Sequence, residues 1–331
     1  MADFTVAEVN LVEAVNLALA REMALDPSVV LLGEDIGANG GVFRATAGLL
    51  QHFGAERVID TPLAEAAIAG MAVGMAAAGL RPVAEIQFTG FIYPTLDNII
   101  NHASRLRHRT RGRLSCPMVL RSPCGAGIHA PEHHSESPEA LFAHIPGLRL
   151  VIPSSPVRAY GLLLAAIRDP DPVIFFEPTR LYRLFKQEVV DDGEALPLDT
   201  CFVLREGSDI TLLSWGAMLQ ETLAAANALA SDGVSAEVID VATLKPIDMA
   251  TLLDSVAKTG RCLIVHEAAK SGGVGAEIAA GLAEQGLTSL LAPVRRVTGY
   301  DAVVPLSRLE AQYMPSVARI LDAARRALEF A

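Results

Sequence analysis

Apolar positions along the chain follow two alternating periods, and this alternation predicts strands and helices in turn. Short apolar runs typical of buried strands occur at Val29 to Leu32, Val83 to Gln87, Met118 to Arg121, Leu148 to Ile152 and Val173 to Phe176. Stretches with helical spacing lie between these runs, at Ala7 to Met23, Tyr93 to Arg107 and Val157 to Ile167. Strands that alternate with helices predict a parallel sheet covered by helices on both faces.

The same alternation resumes after a polar segment. Residues 181–207 are charged and contain an Asp-Asp-Gly turn, which predicts a linker between domains. The elements predicted beyond it are strands at Ile210 to Ser214, Ser235 to Asp240, Arg261 to Val265 and Val294 to Val297, and helices at Leu219 to Leu229, Ala250 to Ala257, Val274 to Ala283 and Val317 to Leu328. We therefore predict an α/β protein with two tandem parallel-sheet domains, at residues 1–180 and 208–331.

The composition is rich in apolar residues, and their surface must be buried somewhere. The hydrophobic fraction is 51%, and the mean hydropathy is +0.35. The longest run without polar side chains, Ala66 to Leu80, has 15 residues, fewer than the roughly 18 that a membrane-spanning helix needs. The apolar surplus is therefore predicted to be buried in closely packed strands and helices or in a subunit interface, not in a membrane.

Charge and cysteine usage limit the possible partners and the cellular location of the protein. The net charge of -11 disfavours nucleic acid or an anionic membrane as the main partner. Cys116, Cys124, Cys201 and Cys262 form no CxxC pair and no zinc-like spacing, which indicates reduced thiols. The first ten residues lack the basic and apolar regions of a signal peptide, so we predict a cytoplasmic location.

Glu65 is the first candidate for chemistry. The segment Thr61 to Glu65 predicts a helix start, with Thr61 as the N-cap and Pro62 at the first helical position. The helix that follows is apolar nearly all round, which predicts that it is buried on every side, with Glu65 at the mouth of a dry region. The residues alone leave two roles open: Glu65 either complements the helix dipole or is held for proton exchange with a ligand.

Histidines form a second cluster, after a loop that contains Gly125 and Gly127. His129, His133 and His134 lie close together in sequence, and Pro131 opposes any helix that would align them as metal ligands. Loop histidines next to glycines suit proton transfer near neutral pH. A solvated turn remains the alternative interpretation.

The segment Arg105 to Arg113 carries five arginines in nine residues. Such a run is typical of a solvated helix face and its following turn. Pairing with acidic groups of a partner subunit is the other interpretation, and the acidic whole chain disfavours nucleic acid.

Several motifs in order carry a resemblance. They are GED at 33–35, GGVFRAT at 40–46, DTPLAE at 60–65, EIQF at 85–88, HSESPEA at 134–140, PGLRLVIPSSP at 146–156 and DPVIFFEP at 171–178. With EGSDITLLSWG, AEVIDVATLKPID, KTGRCLIVHEA and RRVTGYD further on, the chain resembles the beta subunit of the decarboxylating component of 2-oxoacid dehydrogenase complexes. The resemblance covers essentially the whole chain and implies a thiamine-pyrimidine domain followed by a transketolase-like C-terminal domain.

The resemblance implies roles for four residues. Glu65 matches the glutamate that hydrogen-bonds the aminopyrimidine ring of thiamine diphosphate. Gln87 and Phe91 match residues that line the pyrimidine pocket, where Phe91 would stack on the ring. His134 matches a histidine that donates a proton as the acyl group passes to a lipoyl group, although His133 as the catalytic histidine stays open.

The resemblance also implies partners and ions. No GDG motif occurs in the chain, so the Mg2+ and the diphosphate would be held by an alpha subunit in an alpha2-beta2 heterotetramer. A lipoyl acyltransferase core and a small 2-oxoacid would be the other partners. A structural potassium ion would lie near positions that match family ligands, namely Met118, Ala166, Ile167, Asp169 and Asp171.

The substrate is less sharply indicated. Thr89-Gly90-Phe91 favours a pyruvate-type enzyme, while GGVF and FFEP also allow branched-chain 2-oxoacids or acetoin. A structural subunit without chemistry is an alternative from another class. A nicotinamide-binding protein is disfavoured, because no GxGxxG follows the first predicted strand.

Overall fold

The computed structural model describes residues 5–330, and the chain divides into two compact units. The first unit comprises residues 1–124 and 141–198, and the second comprises residues 125–140 and 199–331. Residues 1–4 and 331, which belong to the predicted domains 1–180 and 208–331, lie outside the described residues. Residues 125–140 therefore differ from the prediction, because they associate with the second unit.

The first unit contains eight strands among its described residues. They are β1 (Thr5–Val9), β2 (Val29–Gly33), β3 (Val58–Asp60), β4 (Arg81–Glu85), β5 (Val119–Cys124), β6 (Arg149–Val151), β7 (Val173–Pro178) and β8 (Gln187–Asp191). The α-helices before residue 198 are α1 (Leu11–Leu25), α2 (Leu49–Phe53), α3 (Glu65–Ala77), α4 (Leu96–Asn101), α5 (Leu106–Arg109), α6 (Glu139–Ala143) and α7 (Pro156–Arg168). Short 3-10 helices lie at Thr89–Phe91, Tyr93–Thr95, Ala103–Arg105, Glu132–His134 and Thr179–Leu181.

Six of these strands form parallel pairs in the order β6, β7, β5, β4, β2, β3. Every residue of β2, β5 and β7 is buried, as expected for the apolar strands of a parallel sheet with both faces covered. Since β4, β2 and β3 are neighbours, the segments that follow them meet at one carboxyl edge. Open α/β sheets bind ligands at this edge.

The amino-terminal helix starts later than predicted. Asn10 forms a capping box with Glu13, so α1 begins at Leu11 instead of Ala7. The preceding residues form β1, which pairs antiparallel with β8. Residues 181–207 are therefore not a simple linker, because they contain β8 of the first unit and a strand of the second.

The predicted helix at Tyr93 to Arg107 is wrong as a continuous element. The chain instead forms the short helices α4 and α5, separated and flanked by 3-10 turns. His102, which ends α4, has φ -120° and ψ -66°, outside the helical region, and this interrupts the helical hydrogen bonding.

The second unit has strands β9 (Phe202–Arg205), β10 (Ile210–Ser214), β11 (Ala236–Asp240), β12 (Thr243–Lys245), β13 (Cys262–Val265) and β14 (Arg295–Val297). Its helices are α8 (Leu219–Ser231), α9 (Met249–Thr259), α10 (Val274–Gly286), α11 (Ser307–Tyr313) and α12 (Val317–Leu328), with 3-10 helices at Gly216–Met218 and Leu287–Ser289. The sheet order is β14, β13, β10, β11, β9, and only β9 runs antiparallel to its neighbour. Both units are thus parallel-sheet α/β domains, as predicted.

The predicted strand at Ile210 to Ser214 and the predicted helix at Val317 to Leu328 coincide with β10 and α12. Within residues 5–330, no helix is both long and apolar enough to cross a membrane. The four cysteines are buried and, among the described residues, form no disulfide. Burial raises the pKa of Cys116 to about 12, so this thiol is inert at neutral pH.

His266 is a fully buried imidazole in the second unit. Its ring stacks on Trp215 at 5.0 Å, and both ring nitrogens lack a hydrogen-bond partner among the described residues. A side chain at Gly275 would come within 2.7 Å of His266 Nε2, so only glycine allows this close approach. Burial and the charge of Arg296 lower the pKa of His266 to about 4.

Replacing His266 by Phe should flatten the acid sensitivity of the second unit. Since the folded pKa is below the unfolded one, the stability from neutral His266 is present above about pH 6.5 and is lost as pH falls toward 4. We expect the free energy of unfolding of the wild-type chain to drop by about 2 kcal/mol more than that of His266→Phe between pH 7 and pH 5, measured by urea titration. The exposed His108→Gln variant is the control, and equal losses in His266→Phe and wild type would contradict the expectation.

Candidate active site

Glu65 is the first residue of α3, at the carboxyl edge of the first sheet. Ala64, not Thr61, occupies the N-cap position. The backbone N–H of Thr61 donates to the carbonyl of Gly33 at 2.9 Å and so continues the pairing of β3 with β2. The prediction of Thr61 as the cap and Pro62 as the first helical residue is therefore wrong, because Thr61 is still bonded to the sheet.

A second carboxyl group, Glu34, lies near Glu65. Glu34 follows β2, is 6% exposed, and its Oε1 has no hydrogen-bond partner among the described residues. Burial and the neighbouring Glu65 raise the pKa of Glu34, and a backbone hydrogen bond from Ala64 partly opposes them. The edge of the sheet thus presents two adjacent carboxyl groups, one of them with an unfilled bonding position.

Gln87 belongs to the same edge. Its Nε2 lies 3.4 Å from the carbonyl oxygen of Glu34 and 3.5 Å from Asp35 Oδ2. Asp60, at the end of β3, accepts hydrogen bonds from the backbone of Gly37 and Ala38, which fixes the loop after β2. The structure therefore places Glu65 and Gln87 near Glu34, in the segments that follow the neighbouring strands β3, β4 and β2.

Phe91 lies at the end of an aromatic row. Its ring meets Phe88 edge-to-face at 6.2 Å, Phe88 meets Phe43 at 5.3 Å, and Phe43 meets Tyr182 at 5.0 Å. Such contacts hold rings in defined orientations. Phe88 follows Gln87 directly in the chain, so the aromatic row lies beside the polar group of Glu34 and Gln87.

A buried ionic cluster meets the aromatic row at Tyr182. It is formed by Glu85, Arg121, Glu177 and Tyr182. Arg121 donates to both oxygens of Glu177, at 2.6 and 2.9 Å, and to Glu85 Oε2 at 3.0 Å. Tyr182 Oη also donates to Glu177, at 2.7 Å. Burial raises the pKa of Glu85 although Arg121 opposes it, and the two carboxylates raise the pKa of Arg121 against the effect of burial.

His134 lies in the histidine loop, defined as residues 125–138, within the second unit. Backbone bonds from His134 to Pro131 and from Ser135 to Glu132 form one 3-10 turn that carries both candidate histidines. His133 Nδ1 lies 3.8 Å from Glu132, and the two imidazole rings meet at 4.2 Å. Burial and His133 lower the pKa of His134 while Glu132 opposes them, so a proton on His134 is readily given up.

Carboxylates of the second unit accept hydrogen bonds from the backbone of the histidine loop. Glu267 accepts a hydrogen bond from Ala126 N at 2.8 Å, and Glu310 accepts one from Gly127 N at 2.7 Å. At the end of the loop, Trp215 Nε1 lies 3.4 Å from Glu139 Oε1. Burial and the carboxylate of Glu267 raise the pKa of Glu139 to about 8, which keeps Glu139 largely protonated at neutral pH.

The positions predicted for potassium already have partners. Arg81 Nη1 donates to the carbonyls of Ile167 at 2.8 Å and Asp169 at 3.3 Å, and the carbonyl of Met118 accepts from a neighbouring strand. The carboxylates of Asp169 and Asp171 pair with arginines, and Ala166 is buried in α7. Among the described residues, no group of three His, Cys, Asp or Glu side chains is placed to hold a metal. Guanidinium groups supply positive charge at these positions, but each backbone carbonyl can accept a second partner, so the potassium site stays a prediction.

Helix α3 is buried on one side only, which corrects the prediction of burial all round. Its buried residues are Ile68, Ala69, Ala72 and Ala76, and its exposed residues are Ala66, Ala67, Met71 and Gly74. Met71 keeps 41% of its surface exposed. The sequence is apolar on both sides, but this chain alone covers only one of them; an exposed apolar face is typical of an interaction surface.

Several site residues were not found from the sequence. Glu34 follows a buried strand directly, and its position at the carboxyl end of β2 was an available signal. Glu267 and Glu310 gave none, because their contacts with the histidine loop span 141 and 183 residues of sequence.

Comparisons with known proteins agree with this geometry. The model of the transketolase pyrimidine-binding domain matches residues 7–184, and that of the transketolase C-terminal domain matches residues 199–320. A chain described as a split-gene transketolase in an inactive beta4 tetramer superposes with a TM-score of 0.81 at 23% identity, over 98% of this chain and 99% of that one. The fold and the site edge therefore define a protein of the transketolase class.

Curated relatives narrow the class. The pyruvate dehydrogenase E1 component subunit beta of Bacillus subtilis is 46% identical over 98% of this chain and 100% of its own length. The subunit of the same name from Acholeplasma laidlawii is 49% identical over 95% of this chain and 96% of its own. The chain belongs to the family of pyruvate dehydrogenase E1 component beta subunits, which confirms the resemblance seen in the sequence.

Proposed function

We propose that this chain is the beta subunit of a thiamine diphosphate-dependent pyruvate dehydrogenase component, active only with an alpha subunit. The observation that carries the proposal is the grouping of Glu65, Glu34 and Gln87, which lie in the segments that follow three neighbouring strands, at the carboxyl edge of a transketolase pyrimidine-binding domain. The reaction removes carbon dioxide from the oxoacid and passes the acyl group to a lipoyl group, whose disulfide is reduced to an S-acyl thiol and a free thiol.

The residues at this edge fit an aminopyrimidine ring. A ring nitrogen needs a hydrogen-bond donor, and a protonated Glu65 carboxyl group would provide it. Glu34 Oε1, which is buried with no partner among the described residues, offers an acceptor nearby, and Phe91 offers an aromatic face. Bound thiamine diphosphate would supply the thiazolium carbon that adds to the oxoacid.

In this proposal Glu65 holds the proton that the pyrimidine ring requires. The carboxyl group lies at the start of α3 and beside Glu34, where a pyrimidine ring bound at this edge would share a proton with it. Gln87 Nε2 contacts the Glu34 carbonyl, and the aromatic row supplies half-buried rings for an aromatic ligand. Proton exchange at Glu65 is therefore the chemical contribution of this edge.

His134 is proposed to deliver the proton to the lipoyl sulfur that leaves as a thiolate. Its lowered pKa makes the protonated imidazole of His134 a stronger acid than an ordinary histidine. His133 faces Glu132, which favours His134 as the donor. The lipoyl group would be carried by an acyltransferase core.

The proposed partner is an alpha subunit in an alpha2-beta2 heterotetramer, and it would hold Mg2+ and the diphosphate. The absence of a GDG motif supports a shared site, because the hard oxygen ligands for Mg2+ must come from elsewhere. The exposed apolar face of α3, which starts at Glu65, supports a subunit contact beside the site. The cytoplasm stays our prediction for the location.

Substrate preference tests the proposal. The chain is coexpressed with its alpha subunit, and the complex is supplied with thiamine diphosphate, Mg2+ and a lipoyl domain. We expect kcat/KM for pyruvate to exceed that for 2-oxoisovalerate by at least about tenfold, the discrimination of one or two methyl groups in a closed pocket. Acetoin, which lacks the carboxylate that leaves as carbon dioxide, should also react at least about tenfold less well. A tenfold preference for 2-oxoisovalerate would assign the branched-chain substrate, and no reaction with any of the three would overturn the proposal.

A further inference from the structure

The histidine loop adopts a backbone conformation that its own sequence does not favour. Gly125, Gly127 and His129 have φ of 84°, 94° and 60°, in the left-handed region. Glycine enters this region freely, but a residue with a side chain, such as His129, rarely does. A conformation of this kind persists only where the surroundings hold it.

One buried side chain supplies most of that hold. Glu310 on α11 is 2% exposed and uses both carboxylate oxygens on the loop. Its Oε1 accepts from Gly127 N at 2.7 Å, and its Oε2 accepts from His129 N at 3.1 Å and lies 2.7 Å from His129 Nδ1. Both residues that flank Ile128 are therefore fixed by the same carboxylate.

A second carboxylate supports the beginning of the loop. Glu267 accepts from Ala126 N at 2.8 Å, and a side chain at Gly125 would meet both of its oxygens at 2.8 Å. The loop closes on itself through a bond from Gly125 N to the carbonyl of Glu136 at 2.9 Å. The segment that carries His134 is thus fixed at its base, while His134 itself stands in a single 3-10 turn.

The bond from Glu310 to Nδ1 also sets the tautomer of His129. A carboxylate oxygen accepts a hydrogen bond only from a nitrogen that carries a hydrogen, so the hydrogen of His129 is on Nδ1. Nε2 is then the unprotonated nitrogen of a ring that is 70% exposed. The His129 side chain therefore gives Glu310 a third contact with the loop, in addition to the two backbone hydrogen bonds.

We propose that Glu310 is a positioning residue for acyl transfer to the lipoyl group, because it fixes the left-handed backbone of the loop that carries His134. The proposal rests on the proposed function, in which His134 protonates the lipoyl sulfur. Glu310 acts through the loop and needs no contact with substrate. Without the hydrogen bonds of Glu310, the backbone at Gly127 and His129 becomes more mobile, and the His134 side chain occupies a wider range of positions.

The test compares two rates of the alpha-beta complex: pyruvate decarboxylation with ferricyanide as electron acceptor, and reductive acetylation of a free lipoyl domain. In Glu310→Gln one oxygen becomes an amide NH2 that cannot accept, so the ratio of acetylation to decarboxylation should fall at least tenfold. His129→Ala, which keeps both backbone bonds, should lower the ratio less. Glu284→Gln, on the exposed side of α10, is the matched control and should keep the wild-type ratio.

Amide hydrogen exchange provides a readout that does not depend on the activity. Peptides that cover residues 125–136 should exchange at least tenfold faster in Glu310→Gln than in the wild type, while peptides of β10 stay unchanged and show that the unit is folded. Wild-type exchange in the loop, or an unchanged rate ratio, would overturn the role of Glu310. A wild-type complex that decarboxylates pyruvate but never acetylates the lipoyl domain would instead overturn the proposed function.

Discussion

Replacing Glu65 by Gln is expected to lower thiamine-dependent decarboxylation of pyruvate by about 100-fold or more, the usual cost of removing a positioned proton donor. Gln keeps the size and the helix position of Glu65, but its amide cannot exchange a proton with a pyrimidine nitrogen. The measurement is the ferricyanide-coupled rate of the alpha-beta complex at saturating cofactor, so that weaker binding does not enter.

A matched control exists in the second unit. Glu277 also lies in the first turn of a helix, α10, and is exposed. If Glu65 only complemented its helix dipole, Glu65→Gln and Glu277→Gln would have similarly small effects, of about 0.3 to 1 kcal/mol on stability. Activity of Glu65→Gln within twofold of the wild type would favour a subunit that binds partners without contributing chemistry.

Replacing Arg121 by Met is expected to produce the largest loss of stability, about 3 to 5 kcal/mol at neutral pH. Arg121 is the cation between Glu85 and Glu177, and all three side chains are buried, so the substitution leaves two carboxylates unpaired in the core. The free energy of unfolding, from urea titration, measures the loss. Arg326→Met, which breaks an exposed pair with Asp322, should cost less than about 1 kcal/mol.

The pH dependence provides a second check on Arg121. Without the arginine, burial and the neighbouring Glu177 raise the folded pKa of Glu85 further above its unfolded value, a shift that Glu85 already shows in the wild type. Stability is then greatest below the unfolded pKa and falls as pH rises. The deficit of Arg121→Met should therefore be smaller at pH 5 than at pH 8, and a deficit independent of pH would point to lost packing volume instead of charge.

The elements that the sequence predicted well are those with one clear environment. Strand β10 is buried at every position, and α12 has strongly separated apolar and polar faces, so each pattern matches a single kind of element. Strands β1, β8 and β9 are at edges and mix charged with apolar residues, so their pattern resembles that of a loop. Their hydrogen bonding to a partner strand decides the conformation, and a periodicity does not report it.

Part of the candidate site could also be predicted from the sequence, and part depends on the fold. Glu65, Gln87 and Phe91 lie within short motifs, and the resemblance locates them residue by residue. The burial of α3 was misjudged because an apolar sequence does not say which chain covers it. The neighbour relation between Glu65 and Glu34 depends on the order of β2 and β3 in the sheet, which only the fold supplies.

The clamp on the histidine loop has a consequence for how the protein is made. A ribosome releases Gly127 long before Glu310, because 183 residues separate the donor from its acceptor. A nascent chain can therefore pair strands β2 to β7 while the loop between β5 and α6 still lacks the carboxylates that shape it. The histidine loop acquires its final conformation only when the carboxyl-terminal helices have folded, so a prematurely terminated chain would keep the edge with Glu34 and Glu65 but not an ordered His134.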